Sequence, residues 1–276
     1  MKTYLTLSAI ALAAAATLSS GAVMAADLAP AAAPTPEFVL TGNFGVVSDY
    51  RFRGISQNNT DPAIQGGFDV AHSSGLYIGT WASTVSSWTA GASSAHLETD
   101  LYGGFKTEVA GVGLDIGAIA YMYPGSASGY KANTQEAYLG LAYGPATFKT
   151  SYVLSKAYFA STYGPADSNA GYGSDASGTI YYDLTVAQEI APKLTASVHA
   201  GYTDYKNDAA YITNGGGKLS YADYNVGLTY DLNGYVFGVK YFFNDVKPGT
   251  KTYAGATSSN PNLYKNGLAV SVLKAF

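Results

Sequence analysis

From Glu37 onward, apolar and polar side chains exchange places at every residue over stretch after stretch of the chain. A period of two puts successive side chains on opposite faces of an extended strand, and an amphipathic helix cannot produce it. In Val39 to Arg53 the even positions carry Leu40, Phe44, Val46, Tyr50 and Phe52, and the odd ones Thr41, Asn43, Asp49, Arg51 and Arg53. Ile64, Phe68 and Val70 alternate with Gln65 and Asp69. Leu97, Leu101 and Phe105 alternate with Glu98, Asp100 and Lys106, and Tyr235, Phe237, Val239 and Tyr241 with Gly238 and Lys240. The longest strongly apolar run, Leu7 to Leu18, lies near the N-terminus. Nothing later approaches the ~20 apolar residues of a membrane helix. About twelve strands are expected, one face oily and the other polar.

The connections sharpen this. Tight turns are expected at Ser73-Ser74-Gly75, Gly111-Val112-Gly113, Gly144-Pro145, Ala191-Pro192-Lys193 and Leu232-Asn233-Gly234. These are residues that reach turn conformations cheaply. Between them fall longer polar loops, at 54–62, 84–95, 124–133, 160–178, 206–219 and 245–262. Strict alternation of short and long connections is what an up-and-down antiparallel barrel in an outer membrane predicts, with short periplasmic turns and long outer loops. Lipid offers no hydrogen-bond partner, so a spanning sheet must close and leave no edge. Aromatic clusters at inferred strand ends (Tyr50 and Phe52, Tyr121 and Tyr123, Tyr143, Tyr158 and Phe159, Tyr202 and Tyr205, Tyr241 to Phe243) are expected to form girdles at the membrane surfaces.

Residues 1–25 read as a signal peptide: Lys2, an apolar core from Leu5 to Leu18, and a small-residue cleavage site at Val23-Met24-Ala25. Residues 26–37, rich in Ala and Pro, read as a flexible lead-in, and 38–276 as the barrel. Charged residues make up only 12% of the chain, about half the usual share. The absence of cysteine excludes disulfides, thiolate metal sites, a Cys nucleophile and a lipoprotein anchor. A net charge of −4 with two arginines, Arg51 and Arg53, does not suggest a nucleic-acid binder, which would show a basic patch.

Two segments carry a family resemblance. Ser48-Asp49-Tyr50-Arg51-Phe52-Arg53-Gly54-Ile55-Ser56 and Gly75-Leu76-Tyr77-Ile78-Gly79-Thr80-Trp81-Ala82-Ser83 resemble the proteobacterial family of TorF-type porins, also labelled Gcw_chp. The resemblance extends through the mature chain and implies an outer-membrane barrel with a porin role, without catalytic residues or a defined substrate. The terminal Phe276, after alternating Leu268, Val270 and Val272, resembles the signal read by the barrel-assembly machinery, with Lys274 where a second aromatic is often found.

Candidate pore-lining residues are Asp49, Arg51, Arg53, Glu98, Asp100 and Lys240. Arg51 and Arg53 are expected to face the lumen near the outer mouth, beside Asp49. There they either set a constriction or brace the wall through carboxylates such as Asp49, Glu98, Asp100 or Asp223. His96, Glu98 and Asp100 stand at alternate positions and would share a face if all three lay on one strand. They read as polar lining rather than a metal site. No cofactor is expected. Gly111-x-Gly113-x-x-x-Gly117 departs from a dinucleotide fingerprint, Gly215-Gly216-Gly217-Lys218-Leu219 lacks the Ser or Thr of a phosphate loop, and Gly125-Ser126-Ala127-Ser128-Gly129 has Ala in the nucleophile place. No Ser-His pair of the kind found on barrel phospholipases appears, so no enzyme is expected. The expected function is passive diffusion of small hydrophilic solutes or ions through a narrow lumen in contact with outer-membrane lipid. The alternative is a closed structural or adhesive barrel whose outer loops bind a partner. Inward carboxylates outnumber inward cations, which predicts a weak preference for cations.

Overall fold

The computed structural model describes residues 36–86, 95–126, 132–159, 175–206, 220–246 and 263–276. The expected signal peptide, most of the lead-in, and much of the loops at 84–95, 124–133, 160–178, 206–219 and 245–262 lie outside these residues. Among the described residues β1 (Phe38–Val47) leads into a small hairpin of β2 (Arg51–Phe52) and β3 (Ile55–Ser56). The remaining strands are β4 (Ala63–His72), β5 (Leu76–Thr84), β6 (Leu97–Val109), β7 (Val112–Met122), β8 (Thr134–Tyr143), β9 (Ala146–Val153), β10 (Ile180–Ala191), β11 (Leu194–Asp204), β12 (Tyr221–Leu232), β13 (Tyr235–Asn244) and β14 (Gly267–Ala275). β1 and β4 to β14 form one closed barrel of twelve strands, each paired with its neighbours in sequence, and β2 and β3 pair only with each other.

β1 closes the cylinder. It pairs antiparallel with β4 from Phe38↔His72 to Val47↔Ala63 and with β14 from Asn43↔Ala275 to Val47↔Ser271. Past that register the Gly42 amide donates to the Phe276 carbonyl at 2.8 Å, and the Phe276 amide donates back to Gly42 at 2.9 Å. The Phe276 ring lies across the outside of Gly42. A Cβ on Gly42 would stand 2.6 Å from that ring, so any larger residue there must move it.

The short turns obey hairpin chemistry. Asn233 and Gly234 both hold positive φ, 55° and 77°, between the paired ends Leu232 and Tyr235. Two left-handed residues give the turn whose twist matches its strands. Ala110 and Gly111 do the same at 52° and 81°, so the turn expected at 111–113 sits one residue earlier.

The wall separates solvents as the alternation predicts. Outward side chains are exposed and apolar, among them Leu40, Phe44, Phe68, Leu101, Ile116, Val198, Val226 and Leu268. Inward ones are polar and buried, among them Gln65, Ser83, Glu98, Asp100, Ser197, His199, Asp223 and Thr229. A continuous oily belt on a sheet without edges suits hydrocarbon, where every backbone group must be satisfied internally.

Two expectations need correction. The strand expected to run from Val39 to Arg53 stops at Val47; the chain then turns inward, and Arg51 and Arg53 belong to the inner hairpin region and not to the wall. The aromatic clusters divide. Tyr143, Tyr202 and Tyr241 face outward, whereas Tyr50, Phe52, Tyr121, Tyr123, Tyr158, Phe159 and Tyr205 are buried within the barrel. The physical reason is volume. A strand segment placed in the lumen must be packed on all sides, and rings from the wall fill that space.

Candidate functional site: a hairpin braced across the lumen

Residues 48–58 fold into the lumen at the end of the barrel that carries the longer connections, and from Tyr50 to Gln57 every side chain is buried. Phe52 opposes Ile55, with Arg53 (φ 48°) and Gly54 (φ 77°) between them, so Arg-Gly forms the same kind of two-residue turn as Asn233-Gly234. A Cβ on Gly54 would meet Asp223 Cβ at 2.6 Å, so the tip is pressed against β12. Backbone bonds fix the segment. The Gln57 amide donates to the Tyr50 carbonyl at 2.6 Å, Ser56 to Leu263 at 3.0 Å, and Ser86 to Gln57 at 3.0 Å.

Three side chains reach three stretches of wall. Tyr50 donates to Glu98 on β6 at 2.8 Å and meets Trp81 of β5 edge-on, centroids 5.5 Å apart. Arg51 turns the other way. Its Nε donates to Asp49 at 2.6 Å, its Nη1 to the Lys265 carbonyl at 2.6 Å, and its guanidinium lies 5.7 Å from the Phe242 ring of β13. Arg53 reaches β8 and β10. Its Nη2 donates to both Glu136 oxygens at 2.9 and 2.7 Å and its Nη1 to the Tyr158 hydroxyl at 2.8 Å. The Arg53 guanidinium also stacks over Tyr181 at 4.3 Å and Phe52 at 4.7 Å. The Tyr221 hydroxyl of β12 donates to the Arg53 carbonyl at 3.0 Å. A planar guanidinium held at its edge by a carboxylate and on its face by rings is among the stronger polar arrangements a protein can make.

All six candidate pore-lining residues therefore lie inside the barrel, at most 9% exposed, and most are committed to other protein groups. Asp49 accepts from Arg51 and from Ser56 Oγ at 2.6 Å. Glu98 accepts from Tyr50 and from Tyr123 at 2.8 Å. Lys240 borders a cavity of about 40 Å³ shared with Asp49, Arg51, Gln65 and Phe242, large enough to hold water. Asp100 is fully buried, and neither carboxylate oxygen has a protein donor within hydrogen-bond distance. His96 precedes β6 and is exposed while Glu98 and Asp100 are buried, so that trio is not assembled. Among the described residues no three His, Asp or Glu side chains gather as a metal site would require.

Deeper in the lumen lie two networks that sequence reasoning did not assemble. His199 sits between Asp223, 3.2 Å from Nε2, and Asp183, 3.4 Å from Nδ1, with Thr185 Oγ1 3.0 Å from Nδ1. Near the short-turn end Tyr77 bonds Asp115 at 2.6 Å and also Tyr138, with Lys106 over the Tyr77 ring and Lys149 over the Tyr138 ring at 4.3 and 4.0 Å. The inward parity of these residues was readable. Their mutual contacts were not, because they join strands far apart in the chain.

The fold and the brace define the class: a closed twelve-stranded antiparallel barrel, oily outside and polar within, crossed near one mouth by its own hairpin. The chain belongs to the Gcw_chp family, described as bacterial protein of unknown function, whose model matches residues 31–276. No curated protein matches it in sequence. Among solved structures it is similar to the KdgM porin in complex with disordered oligogalacturonate, with 9% identity and a TM-score of 0.48 over 86% of this chain and 99% of that one. It is similar to the NanC porin with 12% identity and a TM-score of 0.48 over the same shares. The OprD structure from Pseudomonas aeruginosa gives 12% identity and a TM-score of 0.38 over 88% of this chain and 67% of that one.

Proposed function

We propose that this protein is an outer-membrane channel of the TorF porin type, which passes small hydrophilic solutes or ions by diffusion and is restricted by residues 48–58. The observation that carries this reading is the pairing of a sealed, lipid-suited wall with a polar lumen in which one short segment forms the brace at the mouth that carries the longer connections. In this reading residues 1–25 direct export and the barrel-assembly machinery inserts the chain, the longer connections facing outward. Asp49, Arg51, Arg53, Glu98, Asp100 and Lys240 form the constriction. The protein is not an enzyme.

A second reading is favoured by the same segment. A brace that stays seated makes a closed structural or adhesive barrel whose outer loops meet a partner. Planar-bilayer recordings separate the two. Wild type is expected to give small discrete steps, and a variant with Tyr50–Gln57 replaced by a Gly-Ser linker steps several-fold larger. Absence of steps from both proteins, with the barrel verified as folded, would favour the closed barrel and end the channel reading.

A further inference from the structure

The groups that hold Arg53 come from the wall and from the connection after β9, and they would form a receptor for a guanidinium whether or not it is attached to this chain. Glu136 presents both oxygens to one nitrogen, Nη2, Tyr158 its hydroxyl to the other, Nη1, and Tyr181 its face. Those residues are 83, 105 and, for Tyr181, still more positions along the chain from Arg53, so the site belongs to the cylinder and the arginine is its tenant. The tenancy is imperfect. Arg53 Nε has no acceptor, and Asp100, buried near Glu98 and Glu136, has no protein donor on either oxygen. Unsatisfied buried polar groups each raise the free energy of the seated arrangement.

We propose that Glu136, Tyr158 and Tyr181 form a binding site for guanidinium-bearing solutes, that Arg53 occupies it as an internal surrogate, and that an arriving guanidinium displaces the hairpin. The displacement step rests on the channel reading above; the binding site itself does not. Two nitrogens held at once, one by Glu136 and the other by Tyr158, with the Tyr181 ring on the flat face, select a planar cation over a compact ammonium.

Chemical rescue tests the site directly. In Arg53→Ala the receptor is left without its tenant, and free guanidinium is expected to bind saturably at about millimolar concentration, far below the molar range in which it denatures proteins. Binding is read as a rise in the unfolding temperature of the detergent-solubilised full chain. Methylammonium and sodium at equal concentration are expected to give no such rise, and Glu136→Gln added to Arg53→Ala is expected to abolish it. An equal response to all three cations, or no saturable response, overturns the site.

Wild type supplies a second measurement should Arg53→Ala not fold. Trp81 is buried against Tyr50 of the hairpin, so withdrawal is expected to red-shift its emission in a Trp88→Phe background. Guanidinium raised well above the concentration that saturates Arg53→Ala is expected to produce that shift, and Glu136→Gln to remove its guanidinium dependence. A wild-type emission that ignores guanidinium overturns displacement. Binding without any conductance would sink the channel reading and leave the receptor standing.

Discussion

At the scale of single residues the lumen is governed by which charges are paired. Arg53 and Glu136 are both buried, with side-chain exposures of 2% and 0%. Deleting one member of such a pair leaves a charge without a partner, which costs about 3–5 kcal/mol. Glu136→Gln is therefore expected to loosen the seated hairpin and lower the unfolding temperature, with larger or more frequent conductance steps in bilayers. Gly54→Ala attacks the same seat from the backbone. At φ 77° and with Asp223 in the way, an added methyl is expected to cost roughly 1–3 kcal/mol and to mimic Glu136→Gln without touching a charge. Agreement between these two variants in unfolding and conductance would tie the effect to the hairpin. Gly42→Val tests the seam instead. Its side chain must displace the Phe276 ring, and the expected result is slower or incomplete closure, read as loss of the heat-resistant compact band on electrophoresis.

At the scale of elements, the wall strands were legible because hydrocarbon outside and polar space inside impose parity on every one of them. Leu97 and Leu101 against Glu98 and Asp100 could be read directly, and so could the Asn233-Gly234 turn. The inner hairpin was not. Tyr50 and Phe52 continue the even-position pattern of β1, so a strand that leaves the wall after Val47 looks the same as one that stays in it. Both faces of the inner strand are buried, and alternation records only that successive side chains point apart, never toward which medium. The Arg53-Gly54 pair was the available signal, since a glycine after a residue able to adopt positive φ marks a tight reversal. The candidate site was legible as a set of inward charges. Its pairing was not, because Arg53 finds Glu136 and Tyr158 through a three-dimensional closure that no local spacing encodes.

At the scale of the whole molecule the inward charges set the field an ion would cross. Asp69, Asp115, Glu136, Asp183 and Asp223 join Asp49, Glu98 and Asp100, against Arg51, Arg53, Lys106, Lys149 and Lys240. A weak cation preference is expected, measured as reversal potentials in a salt gradient, and an anion-selective result would remove the idea. Removing the hairpin takes Arg51 and Arg53 out of the lumen, so the linker variant is expected to be more cation-selective than wild type.

The brace also has a place in chain order. It follows β1 directly, whereas the groups described as gripping it, from Trp81 through Asp223 to Val270, come later in the chain. A sheet that curls shut strand by strand thus has its own first hairpin on the concave side before there is anything to hold it. The finished cylinder is wrapped around this peg, in the way a cooper's staves are drawn about a form.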